Sequence, residues 1–177
     1  DFGYIEQSWQ RIRMRLGTGR LKDFAYAAHA IGDFYAHTNY AEYGLRRPSP
    51  RPGQGSLVPY DPDHPEHLRA KPEYDFTKYA PLPGCREPPA RAAAHWRGRI
   101  ISGQWWRWFA SYPEDLQTPA ELALRRALPD HDLVAVDGPR RPAAHRAYDE
   151  AEYQIQFADR RAAAVEHIRK VYLAWRR

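Results

Sequence analysis

Apolar residues recur along this chain at spacings of three and four, the period of one helix face rather than a strand. Tyr4/Ile5, Trp9, Ile12 and Leu16 define an amphipathic helix over residues 4–16, and Gly17-Thr18-Gly19 breaks it. A second helical pattern, rich in Ala, Tyr and Phe, runs from Arg20 to about Leu45. Its expected buried stripe is Phe24, Ala28, Ile31, Tyr35 and Thr38. Gly32 in its middle costs about 1 kcal/mol against alanine, so close packing or a site is expected to compensate it.

The pattern stops at Arg46. Eleven of the 16 prolines fall between Arg46 and Pro89 and forbid a long helix or central strand there. This stretch is expected to be an extended excursion over the surface that could cover a cleft. Helical spacing resumes from Ala90 to about Ile101, and Gly103 separates it from Trp105-Trp106-Arg107-Trp108-Phe109. Pro119 to Leu128 resembles a short helix with Thr118 as N-cap, and Leu133-Val134-Ala135-Val136 a brief isolated strand. A long helix is predicted from about Pro142 to Trp175. Its apolar positions are Tyr148, Ala151, Ile155, Ala158, Ala162, Val165, Ile168, Tyr172 and Trp175. Together these elements predict an all-α helical bundle in one domain over 1–177, with 46–89 as a long proline-rich irregular insertion.

Composition narrows the chemistry. There are 27 basic and 22 acidic residues, and only Lys22, Lys71, Lys78 and Lys170 are lysines, so the positive charge is nearly all arginine. Arginine suits bidentate contact with phosphate or carboxylate. The mean hydropathy of −0.80, with no apolar run approaching about 18 residues, excludes a membrane-spanning helix. A single cysteine, Cys85, excludes an internal disulfide and any cysteine-based zinc knuckle, leaving eight histidines as metal ligands. The sequence starts at Asp1 without a visible signal peptide, as expected of a processed protein or excised domain.

His29, Asp33 and His37 fall four residues apart in the second helix, drifting only about 80° around its axis. Imidazole nitrogen and carboxylate oxygen are the usual zinc ligands where cysteine is absent. The same spacing also suits a hydrogen-bonded core network or a solvated face. His145 and Asp149 repeat the spacing at the start of the last helix, and Glu152 and Gln156 continue that face. Ligands from two facing helices would complete a metal site inside a bundle. Asp61, Asp63, His64, Glu66 and His67 in the insertion could bind a divalent ion or form a solvated loop, and Asp130-His131-Asp132 is a weaker version. His95 and His167, in basic surroundings, are expected at the surface. The tryptophan cluster suits core packing or a lipid interface. Ser102 and Cys85 have no base partner at a recognisable spacing, so nucleophilic Ser or Cys catalysis is not supported.

The run His29-Ala30-Ile31-Gly32-Asp33-Phe34-Tyr35-Ala36-His37-Thr38-Asn39-Tyr40-Ala41-Glu42 resembles the signature of HET-C-like proteins. That group is similar in turn to the zinc-dependent phospholipase C and fungal zinc nuclease superfamily, all-helical proteins that bind up to three zinc ions and cleave phosphodiester bonds. The resemblance implies that His29 and Asp33 ligate one ion or bridge two, and that His37 with His145 and Asp149 holds another. The chain departs from that pattern in three ways: its later histidine follows the aspartate by four residues rather than six, its second pair ends in Asp149 rather than Glu, and no histidine precedes His29. One to three zinc ions are therefore expected.

On this reading the chain is a zinc-dependent phosphodiester hydrolase acting on phospholipid, as a secreted or delivered toxin or effector rather than a resident cytoplasmic protein. Phospholipid or another phosphodiester, a membrane surface and a protein partner are the implied partners; nucleic-acid binding has no recognised motif behind it. The alternative is a non-enzymatic HET-C-like toxin or interaction domain whose metal site is structural or degenerate.

Overall fold

A computed structural model describes residues 2–44, 46–48, 56–79, 94, 96–103, 119, 129, 131–143, 145 and 147–177. Among these residues five α-helices can be bounded and there is no strand, so the fold is all-α. The tryptophan cluster over 105–109, the 120–128 part of the expected short helix, His95 and Cys85 lie outside the described residues.

Helix α1 (Phe2–Leu16) buries Ile5, Trp9 and Ile12, the stripe its spacing predicts. It ends at Gly17, and Gly19 takes a left-handed turn (φ 67°) that suits glycine. Helix α2 (Leu21–His37) then runs back through the centre of the molecule, packed against α1 on one side and the last helix on the other. Ile31 and Tyr35 of the expected stripe are buried, with Ala27 and Phe34 added. The expected single helix to about Leu45 is broken at Thr38, whose backbone is extended (φ −117°, ψ 164°). The Thr38 hydroxyl donates to the Phe34 carbonyl at 2.6 Å, capping the helix end. Asn39, fully buried, accepts on Oδ1 from Ile101 N at 2.9 Å and donates its own N–H to the Ile101 carbonyl at 3.1 Å. A short helix α3 (Tyr40–Tyr43) follows. Gly32 meets no close packing: nothing lies within 4 Å of the position a Cβ would take. Its expected compensation by packing is therefore absent.

The insertion is not merely a surface excursion. Short 3-10 turns at Pro65–Leu68 and Thr77–Tyr79 punctuate it, and Leu57, Tyr60, Ala70, Phe76 and Tyr79 are buried. Proline forbids a ladder or a long helix but leaves apolar side chains free to fill the core. Tyr60 packs 4.8 Å from the Trp9 ring and 5.3 Å from Phe34, joining the insertion to α1 and α2.

Residues 133–136 do not form a strand. Helix α4 (His131–Val134) is one turn long, and Val136 then donates to the Ala36 carbonyl at 2.9 Å. Helix α5 (Glu150–Trp175) starts later than its periodicity suggests, because Asp149 is its N-cap and accepts from Glu152 N at 2.8 Å. The buried face of α5 inverts the expectation. Tyr153, Gln156, Arg160, Ala163 and His167 point inward, while Ile155 and Val165 are each 59% exposed. Buried polar groups are tolerated only with partners, and α5 has them. Arg160 bonds to three backbone carbonyls, and His167 Nδ1 lies 2.8 Å from the Tyr35 hydroxyl. His167 is thus buried, not a surface histidine.

Candidate metal centre

The C-terminal turn of α2 brings His37 to a junction of three segments. Its backbone carbonyl accepts from Gly103 N at 3.2 Å, and Thr38 forms an isolated antiparallel bridge with Ser102. From the other side comes the segment around α4. His37 Nε2 lies 2.7 Å from Asp137 Oδ1, and the His131 ring sits edge-on to His37 with centroids 4.5 Å apart. One ligand atom from each of His37, His131 and Asp137 falls within 4.8 Å of the other two. Among the described residues this is the one such group of three, and it could hold a metal ion.

The donor set suits a borderline divalent ion: two imidazoles and one carboxylate. A tetrahedral zinc with bonds of about 2.0–2.1 Å spaces its ligand atoms about 3.4 Å apart. The 2.7 Å His37–Asp137 bond would therefore have to open by about 0.7 Å to admit one. The bond from His37 holds the Asp137 carboxyl below the usual carboxylate range, with the nearby charges of His37, His131 and Arg160 acting the same way. A carboxylate that stays ionised is ready to ligate a cation.

Arg160 fixes the frame behind these three residues. It is 2% exposed. Nη1 donates to the carbonyls of Tyr35 (3.3 Å), Ala36 (2.9 Å) and Val134 (2.9 Å). The first two are orphan carbonyls at the end of α2 and the third closes α4, so one guanidinium ties together both elements that carry the donors. Nη2 donates to the Tyr148 hydroxyl at 3.1 Å, and Nε to Gln156 at 3.2 Å. The Tyr148 hydroxyl also donates to the buried carboxylate of Glu42, as does that of Tyr79, and Lys78 Nζ lies 2.6 Å from the other Glu42 oxygen. Burial pushes the Glu42 carboxyl up, against the opposing pull of Lys78. Phe34, Thr38, Asn39 and Glu42, which follow His29 and Asp33 in the sequence, thus serve architecture.

The sequence-derived ligands are dispersed. His29 and Asp33 pair with each other at 3.3 Å on the exposed side of α2. Asp149 precedes α5 and caps it, so His145 and Asp149 are not a helical pair. His145 is buried between Tyr148, with rings stacked at 5.1 Å, and Tyr153 at 5.0 Å. Its desolvation, together with the charges of Arg160 and Arg141, lowers its pKa to about 4. His64 pairs with Glu66 at 3.0 Å, and no three-donor group forms among the described residues of the insertion. Of the five expected ligands only His37 belongs to the group. His131 lies in the weaker Asp130-His131-Asp132 run, and nothing local to Asp137 marks it.

A cleft of about 300 Å³ opens beside the group. Ile5, Trp9, Ile12, Ala30 and Phe34 make it apolar, while His37, His131 and Asp33 line it as well. Fold and site together define an all-helical protein with a His/His/Asp group able to hold a metal beside an apolar cleft. No family model matches the chain, and neither the curated proteins nor the solved structures contain a match to it.

Proposed function

We propose that the protein is a metal-dependent phosphodiester hydrolase, with zinc held by His37, His131 and Asp137 and a phospholipid as substrate. The observation that carries this reading is the grouping of His37, His131 and Asp137 beside an apolar cleft, with His37 and His131 on its wall. Bound zinc would polarise a phosphoryl oxygen and lower the pKa of a bound water to about 7. Asp33 lines the same cleft outside the group of three, with His29 3.3 Å away. Trp9, Phe34 and Ile12 would take an apolar substituent of the substrate. Neither lysine nor arginine is among the described residues of the cleft, which disfavours a polyanionic nucleic acid there.

The test assays the purified chain on phosphatidylcholine and single-stranded DNA side by side, with zinc and after chelation. Phosphatidylcholine is expected to be cleaved only with metal, and His37→Ala and Asp137→Ala each to lose at least about 100-fold, since even outer-shell changes cost 10–100-fold. Cleavage that survives chelation or both substitutions would overturn the proposal. The dispersal of His29 and Asp33 from the group favours the second reading, a non-enzymatic toxin with one metal. Zinc binding with no hydrolysis of either substrate, and with vesicle permeabilisation, is the outcome that supports it.

A further inference from the structure

The two ends of α2 differ in chemistry. His37 and the metal centre sit at its C-terminus; Leu21 begins it, about 24 Å away along the axis at 1.5 Å per residue. At that far end the molecule gathers positive charge. The last turns of α1 expose Arg11, Arg13 and Arg15, and the start of α2 adds Arg20 and Lys22. The end of α5 comes to the same place, because Phe24 packs on Tyr172 (5.4 Å) and Trp175 (5.0 Å). It exposes Arg169, Lys170, Arg176 and Arg177.

Acidic groups meet only part of this charge. Asp23 binds Arg15 (3.1 Å) and Arg20 (2.6 Å), and Asp63 binds Arg13 at 2.5 Å. Asp61 and Glu166 lie within the field of Lys170. Among the described residues nine cations face these four acids, and one of the four, Glu166, is already bonded to Arg47 at 2.5 Å.

Apolar side chains stand among these cations. Seven large apolar residues are exposed among the described ones, and five of them are here: Met14 (67%), Leu21 (70%), Tyr26 (50%), Tyr172 (36%) and Leu173 (51%). Arg15 stacks over the Tyr26 ring at 4.7 Å and Arg176 over Tyr172 at 5.5 Å, so cation and aromatic are interleaved. A solvated basic face has no need of exposed leucines. A polynucleotide needs cations and stacking rings, but it offers nothing to Met14, Leu21 and Leu173. An anionic bilayer meets both: lipid headgroups take the arginines, and the apolar tips enter the boundary below them.

We infer that the α1–α2 turn and the C-terminal end of α5 form one surface that docks on an anionic lipid bilayer. The surface shares no residue with the metal centre, so docking stands or falls separately from hydrolysis.

Flotation of the full chain with phosphatidylcholine vesicles, with and without phosphatidylserine, tests this at low and high salt. Binding is expected to require phosphatidylserine and to weaken with salt. Each cation near the surface is worth about fivefold, so Lys22→Glu/Arg169→Glu/Arg176→Glu should lose at least about 100-fold. A second variant, Leu21→Ser/Leu173→Ser, keeps every charge and should lose about tenfold. All five positions are exposed, so both variants should keep the wild-type circular dichroism spectrum. His37→Ala should float as wild type does. Equal binding to neutral vesicles, or indifference to the charge reversals, would overturn the inference. So would an oligonucleotide that binds and is lost with the charge reversals while the leucine variant matches wild type.

Discussion

Acidification from about pH 7 to pH 4 is expected to remove about 6 kcal/mol of the protein's folding stability. His145 and His167 are the cause. Both are buried, at 1% and 4% exposure, and desolvation lowers each from 6.5 to about 4. The unfolded chain takes up these two protons near 6.5, whereas the folded chain resists them until about 4. The stabilisation is complete above 6.5 and is lost as pH falls towards 4, at about 2.7 kcal/mol per pH unit for two groups. Each histidine accounts for about 3 kcal/mol, against a typical total of about 5–15 kcal/mol. The lowered carboxyl of Asp137 loses its own contribution further down, and the raised Glu42 acts in the opposite sense. Urea titrations at successive pH values give the slope directly. His167→Phe should halve it, and a stability that stays flat between pH 6.5 and pH 4 would contradict the burial of both rings.

Trp9→Ala is expected to cost about 3–5 kcal/mol, the range for truncating a buried aromatic. Trp9 is 5% exposed and touches every layer of the fold. Its ring meets Phe34 of α2 edge-on at 5.2 Å, lies 4.8 Å from Tyr60 of the insertion, and stacks on His167 of α5 at 5.2 Å. Its loss would join a void to the apolar cleft that Trp9 already lines. Trp9→Phe, which keeps most of the apolar volume, should recover more than half of the loss. A denaturation midpoint unchanged in Trp9→Ala would show that the insertion does not pack here.

Helix α1 was legible because its own buried side chains are apolar and regularly spaced: Ile5, Trp9 and Ile12 need no knowledge of what covers them. The helical state of α5 and its end at Trp175 were legible, but its start and its orientation were not. Arg160 and His167 are buried by carbonyls and a tyrosine that lie more than 120 residues away in α2, and no local pattern announces such partners. Alanine and valine on the opposite face then take solvent. The N-terminus of α5 carried a readable signal in Asp149-Glu150-Ala151-Glu152, a cap residue followed three positions later by glutamate. Periodicity alone overran it towards Pro142, turning a capping aspartate into an expected ligand. At the site, His37 stood out by its place in a His/Asp helix. Its partner Asp137 is 100 residues distant in a loop, where its bond to His37 and the turn after α4 position it. Burial of the insertion's aromatics was hidden by their prolines, which describe the backbone and say nothing of where Tyr60 and Phe76 point.

Zinc content per chain, measured after dialysis against limiting zinc, tests the metal centre most directly. One zinc per chain is expected for the wild-type protein, with none retained in His37→Ala/Asp137→Ala and full retention in His29→Ala. A wild-type chain that takes up no zinc, or a double variant that keeps it, would contradict a centre built from His37, His131 and Asp137.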